Sequence, residues 1–236
     1  MSAKGSQRLL LTKLEVARRQ LNAAIRMYFR DDEELAIHVV GHAAFRIIRD
    51  ILSSRDDDIH EILMMRGMFE MLKAHAKGLL DSTIGEDEAF RRFVATIPDS
   101  MLAKIAEKDF EDVQARLIEY NPASFWGEFN KSCNFLKHAN LDPEKVLDPD
   151  RVDNLQLLGY ACGGYGQLNL PPSVEMWTYL AYFMSVQPFD ITFPEGLVEK
   201  VRVLRRYEAA QRKSVCRYVI GDTFNTADEA ESGEPD

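Results

Sequence analysis

Leu10, Leu14, Ala17, Leu21, Ile25 and Tyr28 follow one another at steps of three and four residues. That step matches the turn of an α-helix, so the six side chains share one face. The same period returns at Ile62, Met65, Phe69 and Leu72, and again at Val152, Leu155, Leu158 and Cys162. No stretch sustains the alternation of apolar and polar residues that a half-buried strand needs. A chain written this way hides its apolar faces by packing helix on helix. The prediction is an all-α, multi-helix bundle of about eight helices.

Punctuation divides the pattern. The first helix is expected to end near Arg30, with Asp31 or Asp32 as N-cap of the next. That second helix, to about Ser54, is apolar over most of its circumference. Ile37, Val40, Ala44, Ile47 and Ile51 form one stripe, with Val39, Ala43 and Ile48 beside it, so it belongs at the centre of the bundle. A third helix spans about 58–80. Phe90, Phe93 and Val94 suggest a short helix before Pro98, and residues 101–119 one or two more, with room for a small helical insertion near 81–120. Asn121-Pro122 opens the next helix, which runs to about Ala139. Two Asp-Pro steps follow between Leu141 and Asp150. A helix from Asp150 closes in Gly163-Gly164-Tyr165-Gly166, read as a C-cap and turn. Pro171-Pro172-Ser173 starts another over 174–186, and one long helix is expected from Glu195 to Ile220. The domain reading is a single helical domain, 1–221, followed by a disordered acidic tail, 222–236.

Charge narrows the partners. The chain carries a net charge of −9. Six acids and no Lys or Arg lie in 222–236, so the body is close to neutral and any polyanion would need a local basic face. The last helix supplies one, with Arg202, Arg205, Arg206, Arg212 and Lys213 able to share a side. Three cysteines, an odd number with no CxxC pair, fit unpaired thiols in a reducing cytoplasm. No apolar run approaches a membrane span and no signal peptide is expected, so the location is read as cytoplasmic, with no membrane partner. The sequence calls for no cofactor.

Two constellations carry proton-capable groups. In Phe125–Asp142, Phe125, Phe129, Cys133 and Leu136 fall on one helical face. Asn134, Lys137 and His138 fall on the other, with Lys131 adjacent. Asn134 and His138 are one turn apart, and Asp142 follows where the helix breaks. A His at a helix C-terminus has its charged form favoured, which suits a general acid or a phosphate clamp. His138, Asn134 and Lys131 are therefore the catalytic candidates, and Lys137, His138 and Asp142 binding candidates. The alternative is a capped helix end facing solvent. The second constellation is Glu34-x3-His38-x3-His42. His at i and i+4 can hold zinc with a third ligand, but the central Glu of a metalloprotease helix is missing. Arg46 and Arg49 on the same arc repel a cation and suit an anion, so both join the binding candidates. His38 and His42 stay weak metal candidates, with a polar seam or anion pocket favoured instead.

The Asn134-Phe135-Leu136-Lys137-His138-Ala139 helix with its Asp-Pro loop, and the N-terminal pair containing Ala36-Ile37-His38, resemble HEPN proteins (higher eukaryote and prokaryote nucleotide-binding domain) and a set of uncharacterised bacterial helical proteins. The resemblance covers roughly residues 8–55 and 122–150. It implies an α-helical bundle that binds nucleic acid or nucleotide, as a homodimer through its first helices. HEPN ribonucleases share a motif of Arg, a polar residue, four more residues, then His. Here no Arg precedes His138, and Lys131 lacks the planar fork. The expectation is binding without strong catalysis. The alternatives are an RNase or metal-assisted hydrolase using His138 or His38 and His42, and a ligand-free interaction scaffold.

Overall fold

The computed structural model describes residues 11–55, 59–79, 93–117, 152–187 and 195–231, with positions 91, 132, 134–136, 144, 146 and 147 besides. Among them nine helices have defined bounds and no strand occurs. They are α1 (Lys13–Arg30), α2 (Glu34–Ser53), α3 (Ile59–Ala76), α4 (Asp99–Glu107), α5 (Phe110–Leu117), α6 (Asn154–Gln167), α7 (Val174–Val186), α8 (Glu195–Leu204) and α9 (Ala209–Glu231). The all-α bundle expected from the periodicity is what forms. Among the described residues, no helix is long and apolar enough to cross a membrane.

Two apolar clusters hold these helices. The larger joins α1, α2 and α6–α9 around Leu21, Ile25, Phe29, Phe45, Ile48, Leu157, Leu158 and Tyr179. The smaller joins α3, α4 and α5 around Phe69, Leu72, Ile105 and Leu117. Close approach in the larger cluster depends on Gly41. A Cβ there would lie 2.8 Å from Leu158 Cδ2 and 3.4 Å from Leu157 Cδ2. α2 is thus central, as its composition predicts, packing on both α1 and α6. Val39 departs from that reading. It is 42% exposed, because the buried arc of α2 runs through Ile37, His38, Gly41, His42, Phe45 and Ile48 and leaves Val39 outside.

Helix ends show further departures. Asp31 does not cap α2. It ends α1 in the left-handed region, at φ 59° and ψ 37°. Its N–H donates to the Tyr28 carbonyl at 3.3 Å, and that of Asp32 to the Met27 carbonyl at 3.1 Å. These two bonds are the pattern by which a helix usually ends on glycine. The N-cap of α2 is Glu33, whose carboxylate accepts from Ala36 N–H at 2.7 Å. The glycines at 163, 164 and 166 do not end α6. It runs to Gln167, and the left-handed residue is Asn169, at φ 58°. Small residues inside α6 let neighbours approach instead, since a Cβ at Gly159 would meet Phe183 at 2.8 Å.

The expected last helix is two. α8 stops at Leu204 and α9 starts at Ala209. The break is closed by the Arg206 and Tyr207 N–H groups donating to Val203 and Leu204 carbonyls, and by Gln211 Oε1 accepting from Glu208 N–H at 3.4 Å. The side chain three residues into α9 thus reaches back to its first orphan N–H, as in a capping box. α9 continues to Glu231, past the point where acidic composition predicts disorder.

Candidate functional site

α2 carries its two histidines inward. His38 and His42 are 4% and 2% exposed, with ring centroids 6.2 Å apart. His38 faces the start of α6. Asp153 is its N-cap, accepting from Gln156 N–H at 2.9 Å. That places Asn154 at the first helical position, where it is buried. His38 Nδ1 lies 3.1 Å from Asn154 Oδ1, and Asn154 Nδ2 donates to the Glu34 carbonyl at 3.0 Å. With the Asn154 oxygen as acceptor, Nδ1 carries the proton. The amide therefore stitches the first turn of α2 to the first turn of α6. Tyr179 adds a third tie, its hydroxyl donating to the Leu155 carbonyl at 2.9 Å.

Asp153 keeps an exposed surface, yet its carboxyl pKa is raised. Crowding by protein atoms is the main cause. The Gln156 and Leu155 N–H groups and nearby His38 pull the other way. Tyr160, on the same helix, is pushed up to about 12 by burial. Among the described residues, no group of three His, Cys, Asp or Glu side chains is placed to hold a metal ion. The histidine pair has the form of a packed polar seam.

Arg46 and Arg49 do not join it. Arg46 is exposed, and Arg49 Nη2 pairs with Asp50 Oδ1 at 3.2 Å. Both lie two to three turns beyond His38, past the stretch that meets the start of α6, so the shared arc does not become a shared pocket. From the stretch the sequence singles out, Ser132 is buried, Asn134 is exposed, and Phe135 and Leu136 are half-buried. Lys131, Lys137, His138 and Asp142 lie outside the described residues.

The cations of α9 and of the break before it converge on two helix ends. Arg205 Nη2 donates to the Met184 carbonyl at 3.3 Å. Arg212 donates through Nη1 to the Ser185 carbonyl and through Nε to the Tyr207 carbonyl at 3.1 Å. Met184 and Ser185 belong to the last turn of α7. Arg217 Nε donates to the Phe29 carbonyl, in the last turn of α1, and its Nη2 pairs with the Asp31 carboxylate. Lys213 pairs with the same carboxylate and sits 4.3 Å from the centre of the Tyr28 ring. Cations belong at such ends, where unpaired carbonyls and the helix dipole concentrate negative charge. Asp31 responds in kind. Lys213 first, and Arg217 after it, hold its carboxyl below the usual range.

Comparison of the chain with family models, with curated proteins and with solved structures found no match.

Asn154 and Asp31 are the polar residues that sequence reasoning missed. Asp153-Asn154 before an apolar period carries an N-cap signal that would have placed α6 correctly. Asp31 gave no such sign, because its partners lie 182 and 186 residues away.

Proposed function

We propose that the chain is a non-catalytic, HEPN-like helical module that binds phosphate-bearing ligands, nucleic acid or nucleotide, through the basic end formed by α8 and α9. The observation that carries this reading is local charge. Residues 195–221 contain seven Lys and Arg against three Glu, in a chain of net charge −9. Arg205 and Arg212 bond to carbonyls, which hold a guanidinium in place without cancelling its charge. Lys200 and Arg206 are exposed in the same segment, as is Arg202, which pairs with Glu199 at 2.6 Å. Exposed Tyr207 lies beside them. Burial of His38 and His42, with His38 held by Asn154, supports a structural role for the pair.

The test is fluorescence anisotropy with a labelled single-stranded RNA and, separately, a labelled nucleotide. Contact with three phosphates of a single strand gives a salt slope of about −2, so affinity for RNA falls roughly 20-fold between about 50 and about 200 mM salt. The triple variant Lys200→Ala/Arg202→Ala/Arg206→Ala is expected to bind about tenfold more weakly. No binding of either probe at low salt overturns the reading and leaves an interaction scaffold. Cleavage of the RNA that is lost in His138→Ala overturns its non-catalytic part.

A further inference from the structure

We infer that Asp31 is an internal competitor for the ligand: its carboxylate occupies Lys213 and Arg217, and so sets the affinity of the basic end. This rests on the phosphate-binding reading and names the residue that regulates it.

Three observations carry the inference. The first is that the pairs are accessible, since the side chains of Asp31, Arg217 and Lys213 are 59%, 47% and 28% exposed. Exposed ion pairs of this kind are weak, so an incoming phosphate can displace the carboxylate. The second is that each cation has a second, uncharged anchor. Arg217 Nε is held by the Phe29 carbonyl, and Lys213 stands over the Tyr28 ring. Removing the Asp31 charge therefore leaves both cations positioned. Arg217 keeps Nε on its carbonyl, while Nη2 becomes available to a phosphate oxygen. The third is backbone conformation. Asp31 sits at φ 59°, which glycine adopts at lowest cost and Asn and Asp tolerate. A carboxylate at this position reaches α9, which a glycine could not.

The experiment measures binding of labelled single-stranded RNA to the full chain in three forms: wild type, Asp31→Asn and Glu208→Gln. Asp31→Asn keeps the size and the tolerance for a left-handed backbone, and removes one charge. Glu208→Gln removes one charge from the same end while leaving the Asp31 pairs intact, so it reports the general gain from lost negative charge. Asp31→Asn is expected to bind at least about fivefold more tightly than Glu208→Gln. Its salt slope should be steeper than wild type by roughly 1.4, the increment for two added phosphate contacts to a single strand. Asp31→Gly, which also fits the left-handed position, should behave alike, and it covers the case in which Asp31→Asn folds poorly. Equal affinities for Asp31→Asn, Asp31→Gly and Glu208→Gln overturn the inference while leaving the binding reading in place. Failure of all forms to bind at low salt overturns the binding reading.

Discussion

Replacing Asn154 by Leu tests whether the histidine seam is structural. The change roughly keeps side-chain volume and removes both amide contacts, to His38 Nδ1 and to the Glu34 carbonyl. Each lost hydrogen bond is worth about 1 kcal/mol net, and the orphaned buried ring nitrogen adds about 1–3 kcal/mol. A cost of about 3–5 kcal/mol follows. For a domain of this size that lowers Tm by about 6–20 °C. His38→Leu alone should cost a comparable amount, because it strands the buried Asn154 oxygen. In the double variant neither group is stranded by loss of the other. Its cost should fall below the sum of the singles by about 2 kcal/mol. Thermal and urea unfolding followed by circular dichroism close this cycle. Costs that add to within about 0.5 kcal/mol would show that the two side chains do not depend on each other, and the seam as described would be refuted.

Two further predictions rest on single positions. Gly41→Ala forces a methyl to 2.8 Å from Leu158 Cδ2, at an overpacking cost of about 1–3 kcal/mol against about 1 kcal/mol of helix propensity gained. Gly67→Ala, in α3 with nothing within 4 Å, should stabilise by about 0.5–1 kcal/mol, so melting of the two variants should move in opposite directions. Asp31 gives a pH dependence. Its folded pKa is depressed, so its contribution to stability is present above its ordinary value near pH 4 and is lost as pH falls through the lower folded value. At about 1 kcal/mol or less for so exposed a group, the stability gap between wild type and Asp31→Asn should be constant near neutrality and close under acid. A gap that widens on acidification would reverse the assignment.

Fold class was legible because it depends on local period. The stripes of α1, α3 and α6 name their own buried faces, and Pro171-Pro172-Ser173 marks where α7 begins. Legibility stopped where an outcome depends on residues far apart in the chain. Glycine at 163 and 164 reads locally as a helix stop, yet α6 continues through both. Arg202, Arg205, Arg206, Arg212 and Lys213 read as sharing one side of a single helix. Arg205, Arg212, Lys213 and Arg217 instead serve the ends of α1 and α7, and the break at Arg205–Glu208 lets one segment reach both. Arg46 and Arg49 share an arc with His38 and His42 on a helical projection. Projection omits distance along the axis, and the start of α6 is tied to α2 at Glu34 and His38.

The contacts at Asp31 also bear on how the chain is made. α1 and α2 are joined by three residues and can pair early, yet Lys213 and Arg217 are 182 and 186 residues downstream of the aspartate they bind. At about 5–20 residues per second of synthesis, the C-terminal end of α1 waits roughly 10–40 s for its cations. During that interval the Asp31 carboxylate lacks both cations, and Tyr28 and Phe29 gain Tyr179 and Tyr182 of α7 before α9 is made. Premature termination ahead of residue 209 would leave a bundle whose Asp31 end lacks Lys213 and Arg217, a nascent species for chaperones to hold rather than a smaller version of the finished protein.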